Sequence, residues 1–245
     1  MSKKTPKTPV VLKVRDPEVP NRRELHENLM SLPSLTLIIA STKSGKSNYI
    51  LNLLANDDFI GSNYFDKYMV ISTTLGCDPK GALYEELFDC EDHYDDKMIT
   101  DFIKSQKKYG SRDKMPYTCI CLDDVLTPDF KKGNEVSLLG TRFRHFNVGL
   151  LILSIQHLKA ISPILRSNAT DIIVFKVNNS KEYEKIKEEW SPLFGDEKTF
   201  DKIYDYAIGY APYSFLYLKL SENPAQAFRC HEEMIAKGSE ILFKQ

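Results

Sequence analysis

The segment Ala40-Ser-Thr-Lys-Ser-Gly-Lys-Ser47 sets small and hydroxyl-bearing residues around two lysines, between the apolar run 35–40 and a second apolar stretch. Its spacing is that of a phosphate-binding loop, G-x-x-x-x-G-K-[S/T], with Ala40 in the place of the first glycine. Small residues let a backbone curl so that its N–H groups converge on phosphate oxygens. Gly45 allows close approach where a helix begins, and the helix N-terminus adds partial positive charge. In this reading Ser41, Thr42, Lys43, Ser44, Gly45, Lys46, Ser47 and Asn48 line a nucleoside triphosphate. Lys46 reaches its β- and γ-phosphates, and the Ser47 hydroxyl ligates Mg²⁺. The competing reading is an ordinary strand-to-helix turn of small polar residues.

A second cluster favours the nucleotide. The run YTCICLDD, 117–124, is an apolar strand ending in two acids. A triphosphate site needs one carboxylate at a strand tip for the metal shell and gains from a second that polarises the attacking water. Asp123 fits the first role and Asp124 the second, so the expected metal residues are Ser47 and Asp123. The strand 148–155 ends in Gln156, whose amide would sense the γ-phosphate or its water, because ligands gather at the C-terminal ends of parallel strands.

These residues require a scaffold of strands and covering helices. Near-continuous apolar runs at 35–40, 68–73, 117–122, 148–155 and 171–177 suit strands covered on both faces. Amphipathic stretches at 45–55, 95–109, 133–146 and 181–190 lie between them, which is the order of an α/β fold with a parallel sheet. A helix near 197–208 precedes runs at 214–220 and 226–231 separated by a turn, predicting a C-terminal β-hairpin and then a short terminal helix. Residues 1–33, with prolines at 6, 9, 17, 20 and 33, read as an extended basic arm with a short helix over 23–30; residues 34–245 read as a single domain. The arm's basic residues, Lys3, Lys4, Lys7, Lys13, Arg15, Arg22 and Arg23, suit a solubilising tail or a contact with phosphates or a neighbouring subunit.

Composition limits the alternatives. The 42% apolar and 27% charged content is that of a globular chain, and no stretch approaches a membrane span. Net charge is −1, unlike a protein that coats nucleic acid by bulk charge. The five cysteines lack paired metal-ligand spacing and the histidines do not cluster with them, which excludes a zinc site; Cys119 and Cys121 fall on one face of a strand.

The loop, the LDD sequence and above all "LLGTRFRHFNVGLLILSIQHLKAISPILRSNATDIIVF" (138–175) resemble the DNA-packaging ATPases of large double-stranded DNA viruses and virophages, the poxvirus-type members of the FtsK–HerA superfamily. The likeness runs from about Leu35 to Val177. It implies a RecA-like P-loop NTPase core, ATP and Mg²⁺ as ligands, and a homo-oligomeric ring that drives double-stranded DNA into a preformed capsid. Capsid or portal-region proteins would be partners, at the assembly site in the host cytoplasm or in the virion. On the same basis Lys46, Ser47, Asp123, Asp124 and Gln156 match the loop, metal, water-polarising and sensor positions. This chain departs from the pattern at Ala40 and at Asp124, where the superfamily usually carries Glu.

A ring ATPase takes an arginine from the adjacent subunit. Arg144 and Arg166 are the candidates, with Arg142 beside them, against the alternative of solvated, salt-bridged helix faces. Lys131-Lys132 and the cluster Lys104, Lys107, Lys108, Arg112 and Lys114 could track DNA phosphates; a solvated helix end would look the same. Two other functions compete: a small-molecule kinase, for which no arginine-dense lid is evident, and a non-catalytic nucleotide-binding assembly protein, which the shorter Asp124 would suit.

Overall fold

The computed structural model describes residues 22–76, 79–125 and 134–244. Cys77, Asp78, the Lys131-Lys132 pair and the arm's lysines fall outside these, as does Arg15. The described strands are β1 (Ser34–Ile39), β2 (Lys67–Ser72), β3 (Asp89–Glu91), β4 (Thr118–Asp123), β5 (Val148–Ile155), β6 (Asp171–Phe175), β7 (Phe215–Lys219), β8 (Gln226–Arg229), β9 (Glu233–Lys237) and β10 (Glu240–Ile241). They form one sheet in the order β10-β9-β8-β7-β6-β1-β5-β4-β2-β3. The six strands from β6 to β3 are mutually parallel; β7 to β10 continue the sheet antiparallel.

The continuous apolar runs have a direct cause: both faces of the central strands are buried. Leu35, Leu37 and Ile39 of β1, Ile120 and Leu122 of β4 and Leu151 and Leu153 of β5 pack into one core. Their alternating neighbours Ile38, Cys119, Cys121, Leu150 and Ile152 pack into the other. The first core is covered by α3 (Asp96–Lys107), α4 (Asn134–Arg142), α5 (Pro163–Asn168), α6 (Ser180–Trp190) and α7 (Glu197–Ile208). The second is covered by α1 (Lys46–Ala55) and α2 (Pro79–Leu87). Cys119 and Cys121 are free, buried thiols on one face, as their spacing predicts.

Two expectations fail. Residues 233–241 form strands, not a terminal helix. Gly238 turns the chain at φ +54°, and Ala236 and Ile235 are buried as β9 pairs with β8, so sheet pairing overrides the helix-forming residues of EEMIAK. Residues 23–30 are not helical either. Leu29 and Met30 are instead buried in the second core, and Asn28 Nδ2 donates to the His231 carbonyl at 3.0 Å. Arg22 pairs with Asp66 at 2.5 Å and Arg23 donates to the Ile60 carbonyl at 2.6 Å, so these two arginines lie against the domain. The predicted helix at 133–146 is α4 followed by a tighter turn over Phe143–Phe146.

Candidate nucleotide-binding site

The register of three neighbouring strands builds the site. Ile39 of β1 lies beside Ile155 of β5, and Asp123 of β4 beside Ser154 of β5. The residues that follow, Ala40, Gln156 and Asp124, therefore leave the sheet together at its C-terminal edge. Main-chain bonds lock this arrangement: Ala40 N–H donates to Ile155 O at 3.1 Å and Asp124 N–H to Ser154 O at 3.2 Å.

The loop from Ala40 to Gly45 curls through left-handed backbone at Lys43 (φ +62°) and Gly45 (φ +97°). Gly45 is the residue before α1, and no side chain caps that helix. The N–H groups of its first turn are thus available to an anion, with the helix dipole adding to the attraction. A β-carbon at Gly45 would crowd the Tyr213 ring, at 3.0 Å from Cδ1, and would have to adopt a conformation that side chains disfavour. Ala40 sits at the strand end without left-handed geometry, which is why alanine serves where the motif has glycine.

Lys46 is buried, and its Nζ stands 2.5 Å from Asp124 Oδ2 and 3.4 Å from Asp123 Oδ1. The contacts are ion pairs rather than aligned hydrogen bonds. Asp123 is 1% exposed; its Oδ1 accepts from Ser154 Oγ at 2.7 Å, while its Oδ2 has no hydrogen-bond partner among the described residues. Asp124 holds φ +54°, a conformation aspartate tolerates better than most residues, and Thr73 Oγ1 donates to its carbonyl at 3.2 Å. Gln156 Nε2 lies 3.4 Å from both Asp124 carboxylate oxygens, and Gln156 Oε1 accepts from Thr42 Oγ1 at 3.3 Å. Ser41 Oγ accepts from the Asn178 N–H at 3.1 Å, tying the loop to the segment after β6.

One cation facing two carboxylates leaves an excess negative charge in a water-poor place. With an orphaned buried oxygen on Asp123, this suits a divalent cation better than a bare protein site. No cluster of three or more acidic, His or Cys ligands exists among the described residues. Of the two expected metal residues, Asp123 presents this unpartnered oxygen, while Ser47 lies in the first turn of α1, its carbonyl accepting from the Tyr84 hydroxyl at 3.1 Å.

The structure thus unites Lys46, Asp123, Asp124, Gln156 and Thr42 in one contact network. Arg144 and Arg166 are not part of it. Arg166 pairs with Glu189 at 2.5 Å, and exposed Arg144 lies over the Phe143 ring at 5.5 Å, its carbonyl accepting from Arg112 Nε at 2.8 Å. Both precede their strands, β6 and β5, and so lie toward the sheet edge away from the loop. Ser154 and Thr73 are contributors that motif reading passes over. Ser154 had a signal, as the one hydroxyl within the apolar strand 148–155; Thr73 and Tyr213 had none.

Comparison with solved structures decides the fold. The genome packaging NTPase B204 of Sulfolobus turreted icosahedral virus 2, in complex with AMPPCP, superposes with a TM-score of 0.54 at 18% identity, over 81% of this chain and 98% of that one. This chain has a P-loop NTPase fold. The P-loop NTPase fold is shared with the pCW3 conjugation coupling protein TcpA, at a TM-score of 0.53 and 17% identity over 76% of this chain and 57% of TcpA. These neighbours match the resemblance to FtsK–HerA-type packaging ATPases at the level of fold, with the mostly parallel sheet and the antiparallel C-terminal strands as predicted. In sequence, the chain is 29% identical over 181 residues to "Uncharacterized protein 075L" of invertebrate iridescent virus 6, covering 71% of this chain and 66% of that protein. The chain therefore spans just under two thirds of that relative's length. No family model matches. Among the described residues no helix is long and apolar enough to cross a membrane.

Proposed function

We propose that this protein is an ATP-hydrolysing motor that moves double-stranded DNA into a viral capsid. The observation that carries the hydrolytic part is the Lys46 amine held 2.5 and 3.4 Å from two aspartates beside an uncapped helix N-terminus. The motor part is supported by the fold shared with a viral genome packaging NTPase, which has been solved with ATP analogues, and by a viral relative in sequence.

The chain's own groups divide the work. The N–H groups around Gly45 hold the polyphosphate, and Lys46 exchanges Asp124 for β- and γ-phosphate oxygens. Asp124, released from the amine, accepts a proton from a water that Gln156 orients. The water oxygen bonds to the γ-phosphorus, the bond from that phosphorus to the β–γ bridging oxygen breaks, and ADP and phosphate leave. Ser47 and Asp123 would hold Mg²⁺, which would supply charge neutralisation to the polyphosphate.

Arg144 and Arg166 lie away from their own loop, and in this reading one of them serves a neighbouring subunit in a homo-oligomeric ring. DNA phosphates fall to the Lys104–Lys114 cluster, which needs charge without base readout. Capsid or portal-region proteins complete the partners, and the setting is the assembly site in the host cytoplasm or the virion.

The test is a steady-state ATPase assay with and without duplex DNA. The motor reading expects DNA to stimulate hydrolysis, with the stimulation falling as salt rises because phosphate contacts release counterions. Hydrolysis indifferent to DNA at low salt overturns the motor and leaves an ATPase of another kind.

A further inference from the structure

Behind Gln156 the chain turns back into the fold. His157 is extended and exposed, and Leu158–Ala160 form a single tight helical turn. The Leu158 side chain is buried in the first core. The first N–H of so short a turn has no partner within it, and burial makes an acceptor obligatory. That acceptor comes from another element. Glu182 Oε1, in the first turn of α6, accepts the Leu158 N–H.

Glu182 is itself fixed from several sides. It is buried, and its Oε2 accepts from Lys185 Nζ at 2.8 Å and lies 3.7 Å from His157 Nδ1. Burial pushes its pKa up, but the Lys185 bond and the Leu158 N–H outweigh that and keep the carboxylate ionised. Asn179 caps the helix, its Oδ1 accepting from the Lys181 and Glu182 N–H groups at 3.0 and 3.4 Å. Just before the cap, Val177 N–H donates to the Tyr204 hydroxyl of α7 at 2.9 Å, and Asn178 N–H to Ser41 Oγ at 3.1 Å. Residues 177–182 thus grip both loops of the site, the phosphate loop at Ser41 and the chain behind Gln156 at Leu158.

We propose that Glu182 is a positioning residue for ATP hydrolysis, fixing the Leu158 N–H and so setting where the Gln156 amide stands between Asp124 and Thr42. The assignment rests on the hydrolytic reading above. Gln156 is two residues from the anchored N–H. Its own side-chain contacts are long, 3.3 Å to Thr42 Oγ1 and 3.4 Å to each Asp124 oxygen. Contacts of that length aim an amide weakly, so its direction is set by the backbone that carries it. A buried carboxylate is unfavourable unless it is well bonded, and one bond of this one goes to that backbone.

Glu182→Asp and Glu182→Gln separate reach from charge. Aspartate keeps the charge but falls one methylene short of the Leu158 N–H. Glutamine keeps the reach through its amide oxygen and loses the charge. In steady-state ATPase assays of the full chain we expect Glu182→Asp to lower kcat about 10²-fold, the scale of a misplacement of about 1 Å. KM for ATP, and MgADP affinity by calorimetry, should stay close to wild type. Glu182→Gln should recover most of the rate. The double variant Gln156→Ala, Glu182→Asp should be no slower than Gln156→Ala alone, because a residue that acts through Gln156 adds nothing once that amide is gone.

A wild-type kcat for Glu182→Asp or Gln156→Ala, multiplied losses in the double variant, or equal falls in kcat and MgADP affinity overturns the assignment. A folded Glu182→Gln enzyme slowed 10²-fold also overturns it, whether or not the aspartate variant folds. In each of these cases a hydrolysing wild type keeps the ATPase reading. A wild type that hydrolyses no ATP, with or without duplex DNA, overturns that reading and this assignment together.

Discussion

Replacing Lys46 by alanine should reduce ATP hydrolysis by at least about 10²–10³-fold, the typical effect of removing one preorganised group that stabilises transition-state charge. The structure adds a second effect. Lys46 is the cation between Asp123 and Asp124, with side chains 1% and 18% exposed. Its loss leaves two carboxylates facing each other in a largely dry site, and breaking a buried pair costs about 3–5 kcal/mol. The variant should therefore keep its far-ultraviolet circular dichroism, melt well below wild type, and regain part of that loss in MgCl₂. A Lys46→Ala protein that hydrolyses ATP normally would remove the loop from catalysis. One that melts like wild type would mean that the ion pairs contribute little in solution.

Asp124→Asn separates the two acids. Asparagine keeps the shape and can still meet Gln156, yet takes no proton from water. If Asp124 is the base, kcat falls by about 10²–10⁴-fold, the usual contribution of general acid–base catalysis, while KM for ATP changes little. Asp123→Asn should act differently, raising the Mg²⁺ concentration needed for half-maximal rate, because Asp123 Oδ2 is buried with no hydrogen-bond partner among the described residues. Steady-state kinetics across a Mg²⁺ series reads both. An Asp124→Asn enzyme with wild-type kcat would exclude Asp124 as base. A wild type that binds ATP without turnover, even with DNA present, would favour a nucleotide-binding assembly protein, the reading that the short acid suits.

The central part of this site was legible because each piece carries a local signal. The loop has fixed spacing, the two acids end an apolar run, and Gln156 ends another; parallel strands then bring the ends to one edge. What escaped was set by pairing across the fold. β3, Asp-Cys-Glu, is a three-residue edge strand with no apolar period, and β9 carries helix-forming residues that only contact with β8 makes extended. Residues 22–33, read as part of an extended arm, contribute Leu29 and Met30 to the core, which no neighbouring pattern announces. Tyr213 belongs to the same class. It reaches Gly45 from 168 positions away because β7 pairs beside β6, and contact at that separation leaves no trace in either local sequence.

Arg166 is already paired with Glu189 and Arg144 is exposed, so neither is committed to its own loop. In the proposed ring, a subunit's far edge meeting the next subunit's loop would give either residue a target.

The most direct measurement is a crystal structure with Mg²⁺ and ATPγS. The account predicts a γ-phosphoryl group within hydrogen-bond reach of Lys46 Nζ, the 2.5 Å pair to Asp124 opened, and the metal near Ser47 and Asp123. Nucleotide bound away from residues 40–48, or Lys46 still locked to Asp124 with the loop filled, would contradict it.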